Sequence, residues 1–144
     1  MSTNLPNDAH IIRYISYTRL RFDENQCPVG VIGEAFRRKP EEDGLSVTWI
    51  EAFSENGDHQ RWAAVSAMRA TIKVGTKSAF AWAVTGIVRD ICIQRNSKIR
   101  IIHAPEDGNP GHTEIRQIPR DDDVLLDMLA SEAFIDWAMN ADIP

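Results

Sequence analysis

Runs of β-branched and aromatic residues with period two are interrupted twice by stretches of helical period, and this order constrains the fold more than any other feature. His10 to Phe22 carries Ile11, Ile12, Tyr14, Ile15, Tyr17 and Leu20 among arginines and reads as a strand. Val29 to Phe36 reads as a second strand, weakened by Gly30 and Gly33. In Leu45 to Ile50 the residues Leu45, Val47 and Trp49 alternate with Ser46 and Thr48, which predicts a third. His59 to Val74 then changes period: Trp62, Val65, Met68 and Ile72 fall at helical spacing, with Asp58 placed to cap the start and Gly75 to end the helix.

Phe80 to Ile93 satisfies both periods. Gly86 and the density of aromatic and β-branched residues favour a strand through Arg89, followed by a short helical turn. Ile99 to His103 and Thr113 to Ile118 read as strands. A helix is expected from about Asp122 to Met139, with Leu125, Met128, Leu129 and Ile135 as its apolar stripe and three aspartates at the positive end of its dipole. Strands, helix, strands, helix make an α+β architecture the expected one: a mostly antiparallel sheet with two main helices packed on one side. A single domain is expected over residues 10–144, preceded by a flexible tail at residues 1–9.

A chain of 144 residues with 43% hydrophobic and 26% charged residues can bury a core without disulfides or a structural metal. Cys27 and Cys92 stand alone and read as ordinary thiols. No apolar run reaches the roughly 18 residues that span a bilayer. The N-terminal residues also lack the charged and apolar regions of a secretory signal, so a cytoplasmic protein without membrane contact is expected. The net charge of −5 is unevenly spread: residues 59–100 carry +7 and residues 101–144 carry −8. In one small domain such halves are expected to complement each other. A nucleotide or nucleic-acid partner is possible but not favoured, because overall acidity opposes non-specific phosphate attraction.

The densest chemistry lies in the stretch Ile99-Arg-Ile-Ile-His103-Ala-Pro-Glu106-Asp107-Gly-Asn109-Pro-Gly-His112-Thr-Glu114-Ile115. Two histidines and three carboxylates crowd a loop at the mouth of a strand, where sites tend to sit. His112 and Glu114 share a strand face, and His103 is expected to approach from the neighbouring strand. A His/His/Glu set of this kind suits general acid–base work or a divalent metal, with Glu106, Asp107 and Asn109 as further oxygen ligands. The competing reading is that Asn109 and His112 bond the loop backbone and the acids are solvated.

A second constellation runs from Phe36 to Trp49. Arg37 and Arg38 have guanidinium forks that match a phosphate, and Ser46 offers a hydroxyl whose activation needs a base from elsewhere in the fold. The competing reading is a solvated charged loop. Trp49, Trp62, Trp82 and Trp137 fall on different elements, which favours core positions over a base-stacking platform. Arg13, Arg19 and Arg21 share one strand face and are expected to pair with the acidic C-terminal helix. No strand–GxGxxG–helix and no Walker A sequence is present, and no cofactor is expected.

Ala35-Phe36-Arg37, then Glu42-Asp-Gly44-Leu45-Ser46-Val47 with Trp49, then Asn109-Pro110-Gly111-His112 with Ile115 resembles a group of short bacterial proteins to which no activity is attached. The likeness spans roughly residues 10–135 and implies a bacterial, single-domain cytosolic protein. The leading expectation is a binding or accessory protein with an unknown protein partner or a homodimeric state. The alternative is a small hydrolase or transferase acting on a nucleotide or nucleic-acid phosphate, with Arg37, Arg38 and Asn109 holding substrate and Ser46, His103, His112 and Glu114 in catalysis. A third is one member of a toxin–antitoxin or defence-type pair, its acidic helix docking a basic protein.

Overall fold

The computed structural model describes residues 3–144. Its centre is a seven-stranded antiparallel sheet. In chain order the elements begin with β1 (Thr3–Asn4), β2 (His10–Ile15), the hairpin β3 (Leu20–Phe22) and β4 (Pro28–Val31), and β5 (Gly44–Trp49). Helix α1 (Asp58–Thr71), strand β6 (Ala79–Val84) and helix α2 (Thr85–Gln94) follow. The chain ends with β7 (Arg100–His103), β8 (His112–Arg116), α3 (Asp123–Met128) and β9 (Asp136–Met139). The sheet order is β1-β7-β8-β5-β2-β6-β9, and β3 and β4 pair separately. The α+β class and the mostly antiparallel sheet agree with the sequence pattern.

The helices cover both faces of the sheet. On β2, Ile11 and Ile15 point to one side and join Val88, Ile91 and Cys92 of α2 and Leu125 and Leu126 of α3. Ile12 points to the other side and joins Ala64, Val65 and Met68 of α1 with Phe80. Strand β6 divides its residues by size: Ala79, Ala81 and Ala83 face α2 and α3, while Phe80 and Trp82 face α1. Strands apolar on both faces demand cover on both. The expected placement of the helices on one side is therefore corrected, with α1 alone on the second face.

Three further expectations change for physical reasons. Residues 3–9 do not form a free tail: β1 pairs with β7, Leu5 and Ala9 are buried, and the Leu5 N–H donates to Ile101 O at 2.9 Å; Met1 and Ser2 lie outside the described residues. The strand expected through Arg89 stops at Val84, because the first N–H groups of α2 donate to carbonyls of that N-terminal segment. Thr85 N–H bonds Ala9 O and Gly86 N–H bonds Asn7 O, both at 2.9 Å, so a helix without a side-chain cap is capped from a distance. The last helix is shorter than expected: after α3 the backbone widens into a five-residue π turn, Leu129–Ala133, and the chain then returns to the sheet edge as β9.

The early strands are likewise shorter than predicted, with single-turn 3-10 segments at Tyr17–Arg19 and Gly33–Phe36. Helix α1 begins after Gly57 without a side-chain cap and ends at Thr71, so neither Asp58 nor Gly75 acts as the expected cap. The charge asymmetry is resolved more through carbonyls than through acids. Arg95 grips Asp122 at 2.9 and 3.1 Å. Arg69, in contrast, donates to the carbonyls of Asn140, Ile143 and Pro144, and Arg89 to Leu5 O. The four tryptophans are all half-buried; Trp62 and Trp82 meet edge to face at 6.2 Å beneath Arg61. No helix among the described residues is long and apolar enough to cross a membrane.

Candidate functional site

A cleft opens where β2 and β5 part. Their pairing extends over Ile11↔Trp49 and Ile12↔Thr48, and beyond it the strands separate. Arg13 fills the gap, donating from Nη1 to Ser46 O at 2.7 Å and from Nε to Ala35 O at 2.8 Å. Burial lowers its guanidinium to about 10, an effect partly offset by the Glu42 carboxylate, so Arg13 stays charged at neutral pH. The expected pairing of Arg13 with the acidic C-terminal helix is replaced by these two carbonyls.

The cleft holds about 280 Å³, the lower end of the range for small-molecule sites. Tyr14, Met68 and Ile72 give it apolar walls; Thr48, Asn109 and His112 give it polar ones. Its far wall is built by the loop between β7 and β8. Glu106 and Asn109 exchange two backbone hydrogen bonds of 3.0 Å across a tight turn, with Gly108 at φ +83°. Asn109 is 3% exposed, donates from Nδ2 to Thr48 Oγ1 at 3.0 Å and accepts the Gly111 N–H at 3.1 Å. A Cβ at Gly111 would stand 2.7 Å from Trp49 O, so only glycine lets the loop close onto β5.

Strands β5 and β8 pair Ser46 with Glu114 and Thr48 with His112. Alternation then sends all four side chains to the α1 face. His112 Nδ1 lies 2.9 Å from Ala104 O. A carbonyl can only accept, so Nδ1 carries a proton, and in the neutral form of the ring Nε2 has its lone pair toward Ser46 Oγ at 3.4 Å. Glu106 Oε1 lies 3.5 Å from the same Nδ1. Glu114 accepts the Arg116 Nε–H at 3.0 Å. Glu42, Asp43, Glu106 and Glu114 line the hollow that continues the cleft past Ser46, and they make its mouth acidic.

The structure thus gathers Ser46, His112, Glu114 and Asn109, with Glu106 beside them. His103 is not brought in. Its register partner is Thr113, which places it on the opposite face, where Nε2 donates to Pro110 O at 2.7 Å and the ring meets Trp49 edge-on at 5.0 Å. Among the described residues no three His, Cys, Asp or Glu side chains converge as a metal site, and the His/His/Glu set expected from spacing does not form.

Arg37 is also elsewhere. It donates to Glu34 and Asp123, each at 2.6 Å, and to Arg120 O, and hydrogen bonds to Asp123 and then Glu34 raise its pKa above the usual arginine range. Arg38 donates to Ile118 O at 3.1 Å and Glu42 O at 3.0 Å. Tyr14, Met68 and Ile72 were not foreseen as site residues; their apolar type marked them only as core.

Compared with protein-family models, with curated proteins and with solved structures, the chain matches none.

Proposed function

We propose that the protein is a small-ligand binding protein, and that its cleft takes a molecule with an apolar body and a cationic head. The observation that supports this best is the sequence of environments along one groove: apolar walls at Tyr14, Met68 and Ile72, then the Ser46–His112 contact, then four carboxylates. An apolar body gains burial against α1, and an ammonium or guanidinium group meets acceptors at the mouth. A phosphate dianion would meet like charge there, and the Arg37 that was to hold it is bonded to Glu34 and Asp123. The docking of a basic protein on the last helix has less support, because Asp122 and Asp123 already bind Arg95 and Arg37.

The test is a pair of isosteric probes. Phenethylammonium should raise the melting temperature and shift the amide signals of Ser46, Glu106 and His112, whereas phenylacetate should not. Glu106→Gln and Glu114→Gln should each weaken the effect. Equal responses to both probes, or none to either, would reject the reading.

A second reading, as a hydrolase or transferase, is favoured by the tautomer of His112. Nε2 is poised to take the Ser46 hydroxyl proton as Oγ bonds an acyl carbon, and then to return it to the leaving alcohol. Ser46 nevertheless lies within a strand rather than on the strand–helix turn of serine hydrolases. A fluorophosphonate that labels Ser46 in the parent protein but not in His112→Ala would support this chemistry. Absence of labelling in the parent would reject it.

A further inference from the structure

The α1 face of the sheet runs past the cleft toward β7, and there three arginines line one hollow. Gly44, Arg116 and Arg100 are direct register partners across β5, β8 and β7. Arg116 and Arg100 therefore stand opposite one another on adjacent strands, an arrangement of like charges that costs stability unless a counter-charge lies between them. Gly44 contributes no side chain, and a Cβ there would stand 3.2 Å from Glu114 Cβ and 3.4 Å from Arg116 Cγ, so the glycine leaves room beside both. Arg38 enters the same hollow, of about 350 Å³, from the preceding loop, and Asp43 and Gln117 complete its rim.

Two of the three heads are held in place. Arg116 is tethered through Nε by Glu114 at 3.0 Å, which leaves its Nη groups unused by that contact. Arg38 is tethered through Nε by Ile118 O and through Nη1 by Glu42 O. The residue before Ile118, Gln117, is held at φ +69°, a conformation that L side chains adopt at a cost and that clusters at binding sites. Among the described residues neither Arg38 nor Arg100 forms an ion pair, and Asp43 is bonded to none of the three.

The geometry points to an oxyanion site at Arg38, Arg100 and Arg116, of a size and charge suited to a phosphate or phosphate monoester. Pre-oriented guanidinium forks bind tetrahedral oxyanions through paired N–H donors, and the anion relieves the Arg100–Arg116 repulsion. This site adjoins the acidic mouth of the Ser46–His112 cleft through Asp43 and Glu114, but its three arginines line neither the cleft nor that mouth.

Thermal melting at pH 7.5 and fixed ionic strength tests it, with inorganic phosphate exchanged for chloride. Phosphate should raise the melting temperature by about 4 °C at ten times its Kd, and in proportion to the logarithm of its concentration beyond that. Arg100→Gln and Arg116→Gln should each abolish the rise, and without phosphate Arg100→Gln should melt no lower than the parent because the like-charge contact is gone, whereas Arg116→Gln also gives up its tie to Glu114. A nucleoside monophosphate in a parallel series separates the two sources: tighter binding assigns an organic phosphate monoester, equal binding free phosphate. No rise with either anion, or a rise unchanged in both variants, would overturn the inference.

Discussion

Ser46 and His112 meet diagonally across β5 and β8. The register partner of His112 is Thr48, yet its Nε2 reaches Ser46 Oγ at 3.4 Å while Thr48 Oγ1 accepts from Asn109. The two polar positions of β5 are thereby divided. Thr48, 1% exposed, fastens the loop, and the exposed Ser46 faces the ligand space. One hydroxyl holds the site's shape and the other is available for contact.

The backbone of Ala104 sets the protonation pattern of this pair. Neutral His112 should carry its proton on Nδ1, whereas free imidazole side chains favour Nε2. Long-range nitrogen–proton correlation spectra at a pH above the histidine titration should show an Nδ1–H tautomer for His112. For His103, which donates from Nε2 to Pro110 O, they should show the opposite one. Swapped assignments would remove the basis for treating Nε2 as an acceptor toward Ser46.

Asn109 should be the most stability-sensitive polar residue of the loop. Its side chain satisfies both Thr48 Oγ1 and the Gly111 N–H in a buried setting. Asn109→Leu strands both groups and should cost about 1–3 kcal/mol per buried group left without its partner. Thr48→Val, which strands only the amide donor, should cost less. Urea denaturation midpoints give the comparison; a larger loss for Thr48→Val would contradict this hierarchy.

The strands of the centre were legible because Ile11, Ile12, Val47, Ile101 and Ile115 combine β propensity with apolar runs, and burial on both faces rewards both. The neighbourhood of Ser46, His112 and Glu114 was legible through the same alternation. His103 was misplaced because strand parity, not proximity in sequence, decides which face a side chain takes. Its register with Thr113 turns it away from His112. The arginines behaved unexpectedly for a different reason: their partners are mostly carbonyls freed at chain reversals, and no residue type announces those. Helix α2 was hidden because its cap lies some eighty residues earlier, in a segment read as a tail.

That remote cap has a measurable signature. Glycine to alanine within a helix ordinarily stabilises by about 1 kcal/mol. At Gly86 a Cβ would meet Asn7 O at 2.9 Å and the Asn7 side chain at 3.2 Å. Gly86→Ala should therefore destabilise, by about 1–3 kcal/mol as overpacking does, and should loosen protection of the Thr85 and Gly86 amides in hydrogen exchange. A stabilised variant would show that the N-terminal segment does not press on α2.

The two cysteines should separate cleanly by reactivity. Cys27 is exposed, whereas Cys92 is buried against the sheet, and burial, with Asp122 nearby, pushes its thiol up to about 11. Native protein at pH 8 should react with one equivalent of a disulfide reagent, at Cys27, and with the second only on unfolding. Because the folded pKa of Cys92 is raised, its contribution to stability is present below the unfolded thiol value and is lost as pH rises through about 11. Two fast equivalents in the native state would mean that α2 does not seal Cys92.

Acid sensitivity should trace in part to Asp122. The hydrogen bond from Arg95, followed by the one from the Leu125 N–H, holds its carboxyl below the usual aspartate range. A lowered folded pKa means that the contribution is complete above the unfolded value of about 3.9 and is lost as pH falls through the folded one. Asp122→Asn keeps an acceptor for Leu125 but loses the charge opposite Arg95. The variant should be less stable than the parent at pH 7, with a gap that narrows below about pH 4 and closes once the parent carboxyl is protonated. Urea midpoints measured at pH 7, 5, 3 and 2 resolve this. A gap that stays constant across the series would assign the loss to packing at the start of α3 rather than to the ion pair.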